Sequence, residues 1–232
     1  MSKIQKIAKK NKLFLLEDCA ESIGSKINNK AIGSFSDISI FSFFGNKTIT
    51  TGEGGMVCFK NNTHYKRAFL LRDHGMNKKK KYWHDIVGHN FRLTNLQAAI
   101  GCAQFEKLDE IVNKKILISN MYKKYLSSKK ILIIKDKNKT INSHWLFCFF
   151  LKDVNNYQDR DKFLDKLNDE GVEGRNVFYP LCSMKIYKNF CKNQKFPHAE
   201  NFSKKGICLP TSYTLNEYDI KRICKSINSI LN

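Results

Sequence analysis

Residues 38–44 form the apolar run that most constrains the fold. They read Ile-Ser-Ile-Phe-Ser-Phe-Phe and lead, past a single lysine at position 47, into the glycine-rich turn TGEGG. A continuous apolar run of this length that ends in a turn is typical of a strand covered on both faces, as in parallel α/β sheets. A second run, Leu13–Leu16, ends in Glu17 and Asp18. Together the two runs predict a parallel sheet with polar side chains at the carboxyl ends of its strands.

The rest of the chain alternates helical and extended patterns. Thr94–Gln97 is a capping box, in which the threonine and glutamine side chains satisfy amides at a helix start, and it opens a long predicted helix toward Tyr125. The other predicted elements are helices at 2–10, 62–71, 160–170, 199–205 and 217–231 and strands at 55–59, 144–151 and 177–179. These patterns predict an α/β large domain over residues 1–120 and a smaller α+β domain over residues 121–232.

Charge raises one functional hypothesis. The 232 residues carry a formal net charge of +20, as a basic nucleic-acid-binding protein would. The excess is nearly all lysine, with only six arginines, although arginine is the better reader of bases and phosphates. The basic runs at 78–81 and 135–139 are typical of solvated loops. Nucleic-acid binding is therefore the less favoured function, and no nucleic-acid partner is expected.

Several other classes of protein are disfavoured by the sequence. No run approaches the roughly 18 apolar residues of a membrane span, and the amino-terminal segment lacks the apolar core of a signal peptide. The eight cysteines include no CxxC pair, and the histidines form no HExxH motif. We expect a cytoplasmic protein with free thiols, no metal site and no membrane partner.

Polar residues at the predicted strand ends suggest a cofactor site. Asp18 ends one strand, Ser42 lies near the end of the next, and Lys47 follows it, at the edge where open α/β sheets bind ligands. The turn matches neither GxxxxGK[ST] nor GxGxxG, so a nucleotide loop fits poorly. A lysine and an aspartate suit pyridoxal phosphate, because lysine bonds the cofactor and aspartate pairs with its protonated ring nitrogen. The alternative is a hairpin turn with a neighbouring surface lysine.

Five segments carry a resemblance to a known family. They read LEDCAESIGS, GSFSDISIFSFFGNKTITTGEGGMV, LRDHGM, KYWHDIVGHNFRLTNLQAAIGCAQFEKLDEI and GVEGRNVFYPL. In this order they resemble the DegT-type sugar-nucleotide aminotransferases, a branch of the fold type I pyridoxal phosphate enzymes, over residues 3–228. The second and fourth segments are most similar to the GDP-perosamine synthase group. The resemblance implies an aspartate aminotransferase-like large domain, here incomplete, followed by the small domain.

The resemblance assigns roles to individual residues. Lys47 matches the lysine that forms the Schiff base with the cofactor and later moves a proton as a general base, and Asp18 matches the partner of the pyridine nitrogen. Glu21 matches the position against the cofactor ring, and Ser42 matches a serine that binds the phosphate. Because lysine is retained at position 47, the resemblance favours amino transfer over the dehydration catalysed by related enzymes.

Partners and substrates are also implied by the resemblance. Asn90 and Arg92 match a segment that reaches the cofactor site of the neighbouring subunit, so a homodimer is expected. The expected substrates are a nucleotide sugar, GDP-4-keto-6-deoxymannose, which is aminated at C4, and glutamate as the amino donor. Cys182 stands where the family usually has histidine.

The start of the chain departs from the family pattern. Residues 2–10 are predicted to form a crossover helix, yet no strand precedes them, although a βαβ unit needs one. The resemblance implies that an amino-terminal third, with a phosphate-binding loop, is absent from the sequence. The chain is then either a truncated aminotransferase, with a separately encoded amino-terminal fragment as a candidate partner, or a non-catalytic remnant or interaction module.

Overall fold

The computed structural model describes residues 1–192 and 194–232 of the chain. These residues form two compact units. Unit 1 contains Met1–Val112 and Lys137–Ser143, and unit 2 contains Asn113–Asp136 and His144–Asn232. The division at residue 120 that the sequence predicts stays a prediction.

Helices and strands alternate along the chain. The helices are Ser2–Lys10 (α1), Asn62–Arg72 (α2), Asn95–Glu106 (α3), Leu108–Tyr125 (α4), Tyr157–Asp169 (α5), Pro197–Lys205 (α6) and Glu217–Leu231 (α7). The strands are Leu16–Asp18 (β1), Lys26–Ile27 (β2), Lys30–Ala31 (β3), Ile38–Ser42 (β4), Gly55–Phe59 (β5), Ile131–Leu132 (β6), Thr140–Ile141 (β7), Phe147–Leu151 (β8), Arg175–Asn176 (β9) and Gly206–Leu209 (β10). None of the helices that the described residues form is long and apolar enough to cross a membrane.

The main sheet of unit 1 has the strand order β1-β4-β5. β1 runs parallel to β4, with Asp18 opposite Ile40, whereas β5 runs antiparallel to β4, with Gly55 opposite Ser42. The carboxyl ends of β1 and β4 therefore meet at one edge of the sheet. This edge is where the sequence predicts the polar residues.

The first strand differs from the predicted run at 13–16. β1 begins only at Leu16, and the side chains of Leu13, Phe14 and Leu16 are half exposed or more, so the run is not buried on both faces. The buried side chain of β1 is Glu17, which is 7% exposed. The prediction was wrong because Glu17, although charged, fills the inward position of this strand.

A hydrogen-bond network stabilises the buried Glu17. Its carboxylate accepts hydrogen bonds from the amides of Gly33 (3.1 Å) and Phe35 (2.9 Å) and from the hydroxyl of Ser36 (2.8 Å). A buried carboxylate is tolerated only when its oxygens are satisfied in this way. Glu17 thereby connects β1 to residues 33–36, which lead into β4.

The capping box at Thr94 is confirmed, but the long helix is interrupted. The Thr94 hydroxyl accepts from the Gln97 amide, and the Gln97 side chain accepts from the Thr94 amide. The helical pattern breaks at Lys107, which ends α3 before α4 begins at Leu108. Apolar spacing continues through this break and so did not reveal it.

Unit 2 is built around an antiparallel sheet with the strand order β6-β8-β10-β9. Its core combines inward residues of β8 and β10 with residues of α4, α5 and α7; the largest fully buried members include Tyr122, Phe149, Leu167, Ile207, Ile220 and Ile227. The strand predicted at 177–179 is wrong, because pairing with β10 occurs at Arg175–Asn176 instead. β10 itself, four buried residues after a helix, was not predicted.

Candidate active site

The connection between β4 and β5, residues 43–54, carries Lys47. Its two ends are joined by backbone hydrogen bonds, from the Phe43 amide to the Gly54 carbonyl and from the Thr51 amide to the Phe43 carbonyl, both 2.9 Å. The hairpin that the alternative interpretation expected is therefore present. The second part of that interpretation, a surface lysine, does not hold, because the Lys47 side chain is only 11% exposed.

Helix α3 fixes the far side of this lysine loop (residues 43–54). The side chain of Gln104 accepts from the Thr50 amide at 3.1 Å and donates to the Thr50 carbonyl at 2.7 Å. The side chain of Gln97 also donates to the Glu53 carbonyl at 3.3 Å. Sequence reasoning missed Gln104, and only its place on the helix that the capping box opens could have suggested it.

Glycines in the turn allow the close packing of the loop. Gly54 has a φ of +123°, and a Cβ there would lie 2.5 Å from the Leu93 side chain. A Cβ on Gly55 would lie 2.5 Å from the Phe41 carbonyl oxygen. Gly54 is therefore favoured by its positive φ and its close contact with Leu93, and Gly55 by its close approach to β4.

The Lys47 ammonium group pairs with the Glu21 carboxylate. Glu21 lies in the turn that follows β1, and its side chain is 50% exposed, so the pair sits at the edge of unit 1 rather than in its core. Sequence reasoning placed both residues at one site. The structure brings them into direct contact.

Asp18 and Ser42 end the two parallel strands. Asp18 is exposed, and its Oδ1 accepts from the Ala20 amide at 3.0 Å, which leaves the second carboxylate oxygen available to a ligand. Ser42 is half-buried, and its Oγ accepts from the Phe44 amide at 3.4 Å. Both residues lie at the same edge as the Lys47–Glu21 pair.

Asn90 and Arg92 contact a different residue, Asp73. The backbone of Asn90 pairs with that of Asp73, and the Arg92 Nε lies 3.2 Å from Asp73 Oδ1. Asn90 and Arg92 are both exposed. Their assignment to the cofactor site of a neighbouring subunit stays a prediction.

The residue after Asp18 is a buried cysteine. Burial, together with the negative charge of Glu17, raises the pKa of Cys19 to about 11. The thiol is therefore protonated at neutral pH, and Cys19 does not supply a thiolate nucleophile. The role of Lys47 as the nucleophile of this edge stays a prediction.

The donor set at this edge suits pyridoxal phosphate. The mostly buried amine of Lys47 suits the aldehyde of this cofactor. The exposed carboxylate of Asp18 suits its protonated pyridine nitrogen, and the hydroxyl of Ser42 suits its phosphate. No group of three or more potential metal ligands occurs in the part of the chain that the structure describes.

Relatives of known type are similar to nearly the whole chain. GDP-perosamine synthase of Escherichia coli O157:H7 is 41% identical over 228 residues, which is 98% of this chain and 61% of that protein. The GDP-perosamine synthase of Vibrio cholerae is 40% identical over 95% of this chain and 60% of its own length. The chain thus spans about three fifths of the length of these curated relatives.

A solved structure shows the same fold. Helicobacter pylori PseC, an aminotransferase involved in the biosynthesis of pseudoaminic acid, superposes with a TM-score of 0.92 at 27% identity. The match covers 99% of this chain and 62% of PseC. The fold is therefore that of the fold type I pyridoxal phosphate enzymes, as the sequence predicted. The model of the DegT/DnrJ/EryC1/StrS aminotransferase family matches residues 1–228, and the chain belongs to that family.

Proposed function

We propose that this chain carries the lysine-bearing part of a pyridoxal phosphate-dependent sugar-nucleotide aminotransferase site. The observation that supports this most is the contact between Lys47 and Glu21 at the edge where Asp18 ends the adjacent parallel strand. A lysine without a role in binding or chemistry would be expected to extend into solvent. Here the loop, the helix behind it and the carboxylate hold its amine at the ligand-binding edge.

Each residue of the edge has a distinct task in this proposal. The Lys47 amine would hold the cofactor and, when free, would serve as the general base that takes up and returns a proton. The Asp18 carboxylate holds a proton on the pyridine nitrogen, and the Ser42 hydroxyl donates to the phosphate. Glu21 orients the amine and lies against the ring. When bound, pyridoxal phosphate supplies the electron sink that makes the donor's Cα acidic.

The relatives support a proposal for the substrate class. Those most informative here are GDP-perosamine synthases at 41% and 40% identity. We propose GDP-4-keto-6-deoxymannose as the acceptor, aminated at C4, and glutamate as the donor. These substrates are assigned by similarity, since the chain matches about three fifths of those proteins.

We further propose a homodimer. The segment around Asn90 and Arg92 carries large exposed apolar side chains, with Val87 91% and Phe91 71% exposed, as a segment that a second subunit covers would. In this arrangement Asn90 and Arg92 contribute to the partner subunit's cofactor site. Light scattering after size-exclusion chromatography tests the stoichiometry: a mass near 54 kDa, about twice the 27.0 kDa of the chain, supports a dimer.

Amino transfer tests the proposed function. The chain is assayed with glutamate and GDP-4-keto-6-deoxymannose, alone and together with the amino-terminal part of the Escherichia coli relative, and 2-oxoglutarate is measured. We expect turnover only in the combined sample, because the resemblance implies that the phosphate-binding loop of the family lies in that part. The control is Lys47→Arg, which keeps the charge but should abolish turnover. Activity that survives Lys47→Arg, or no turnover in either sample, would contradict the proposal.

A further inference from the structure

Two cysteines face each other across strands β8 and β10 of unit 2. Cys148 is directly opposite Cys208 in the antiparallel register, and their Sγ atoms are 3.2 Å apart. Both are free thiols. Residues directly opposite each other project to the same face of a sheet, so the strand pairing itself brings the two sulfurs together.

The pair lies on the sheet face that does not carry the main core. Ile207 and Leu209, on either side of Cys208, pack into that core, and so do Phe147 and Phe149, on either side of Cys148. Because side chains alternate along a strand, both cysteines project to the other face. Cys208 is only 3% exposed, whereas Cys148 is half-buried and gives small reagents access to the pair.

A cation lies beside the two sulfurs. Arg175 on β9 is the register partner of Cys208 on its other side. A hydrogen bond from the Cys148 thiol lowers the pKa of Cys208, against the effect of burial, and the Arg175 charge lowers it further. Cys208 is therefore the thiol of the pair that ionises more readily, with Cys148 as its hydrogen-bonded neighbour.

The backbone already has the spacing that a disulfide needs. Opposite Cα atoms of an antiparallel pair lie about 4.5–5.5 Å apart, within the roughly 4.4–6.8 Å range that disulfides span. The two sulfurs need to approach by only about 1.2 Å to reach the bond length of about 2.05 Å. We expect side-chain rotation to supply this approach.

We propose that Cys148 and Cys208 form a redox modification site, which closes to a disulfide when a small peroxide such as hydrogen peroxide oxidises it. The Cys208 thiolate attacks one peroxide oxygen, the O–O bond breaks, and a sulfenic acid forms as hydroxide leaves and is protonated to water. The Cys148 sulfur then attacks the Cys208 sulfur; the S–S bond forms, the S–O bond breaks, and the Cys148 proton leaves with the hydroxyl as a second water. The peroxide gains the two electrons that the sulfurs lose. This site is independent of the proposed amino transfer.

Disulfide mapping of the whole chain tests the proposal. Reduced protein at low micromolar concentration is treated with hydrogen peroxide, blocked with N-ethylmaleimide and digested with trypsin without reductant. We expect one cross-linked pair, peptide 140–152 with peptide 206–221, each of which contains a single cysteine. Two thiols per chain should disappear and return with dithiothreitol.

Two variants sharpen the test. Cys148→Ser should abolish the cross-link and leave Cys208 as a sulfenic acid that dimedone traps. The matched control Cys58→Ser removes an exposed cysteine and should leave the cross-link unchanged. Recovery of both peptides with N-ethylmaleimide on Cys148 and Cys208, under conditions that oxidise Cys58, would overturn the proposal. Cross-linking of either peptide mainly to another cysteine would overturn it as well, and both outcomes are read on the unaltered chain.

Discussion

Two adjacent carboxylates, Glu17 and Asp18, have opposite environments because side chains alternate along β1. Glu17 is buried and accepts three hydrogen bonds, whereas Asp18 is exposed at the carboxyl end of the strand. The sequence indicated that a carboxylate ends this strand, and the resemblance predicts that Asp18 is the one that pairs with the cofactor. It did not reveal the structural role of Glu17, because burial of a charged residue depends on donors from residues 33–36 that are distant in the pattern.

Replacement of Glu17 by glutamine should destabilise unit 1. The amide nitrogen cannot accept the hydrogen bonds that the carboxylate oxygens now receive, and an unsatisfied buried donor costs about 1–3 kcal/mol. We expect the free energy of unfolding of unit 1 to fall by that amount, measured by urea titration with hydrogen exchange at residues 33–38. Glu53→Gln, at an exposed position in the lysine loop, is the control and should change little. Equal stability of the two variants would disprove this role of Glu17.

His144 should make the stability of unit 2 depend on pH. Burial lowers its pKa below the ordinary 6.5, although Asp136 opposes the shift. The folded state therefore favours neutral histidine; its stabilising contribution is present above about pH 6.5 and is lost as the pH falls through the folded pKa. His144 also has a φ of +48°, which asparagine tolerates, so His144→Asn should remove part of the acid sensitivity without backbone strain.

Urea unfolding of unit 2 at pH 7.5 and pH 5.5 checks this prediction. The stability of the natural chain should decline more between the two pH values than that of His144→Asn. The control His198→Asn replaces an exposed histidine of the same unit and should decline as the natural chain does. If all three proteins lose the same stability between the two pH values, the pKa of His144 does not differ between the folded and unfolded states.

The lysine loop and helix α3 act together as one structural element. Gln104 binds both the amide and the carbonyl of Thr50, and Gln97 binds the Glu53 carbonyl. The turn and the start of the helix were predictable, because a glycine-rich sequence and a capping box are local signals. The hydrogen bonds between Gln104 and Thr50 could not be predicted, because the two residues are 54 positions apart and no local pattern indicates their contact.

Gln104→Leu should loosen the lysine loop. The substitution removes two hydrogen bonds while keeping an apolar stem, and losing about 1.4 kcal/mol changes an opening equilibrium tenfold. We expect hydrogen exchange in residues 44–55 to accelerate by about tenfold. Cys102→Ala, at an exposed position on the same helix, is the matched control and should leave exchange unchanged. If hydrogen exchange accelerates in both variants, or in neither, the hydrogen bonds between Gln104 and Thr50 do not hold the loop.

The whole chain combines a family fold with an unusually basic composition. Strand and helix positions followed from apolar patterns where those patterns are long, as for α7. The apolar patterns did not predict the bounds of β1, β9 and β10, because these strands are short and are defined by pairing with distant strands. Net charge carries no information about the fold, but it predicts how strongly the molecule binds polyanions.

The net charge of +20 should produce only non-specific, salt-sensitive binding to duplex DNA. Lysines spread over the surface bind phosphates as point charges and do not read bases. We expect fluorescence anisotropy to detect binding near 50 mM salt and to lose it by about 200 mM salt, with equal affinity for unrelated sequences. Binding to one sequence that persists at 200 mM salt would instead favour the nucleic-acid-binding hypothesis.

Borohydride trapping tests the assignment of Lys47 most directly. The chain, combined with the amino-terminal part of the Escherichia coli relative, is incubated with one equivalent of pyridoxal phosphate, reduced with borohydride and digested with trypsin. Because trypsin does not cleave after a modified lysine, a label on Lys47 should appear as the uncleaved peptide 31–60 carrying one pyridoxyl group. Lys47→Arg should carry no such label. A pyridoxyl group on another lysine, or spread over the many surface lysines, would contradict the account.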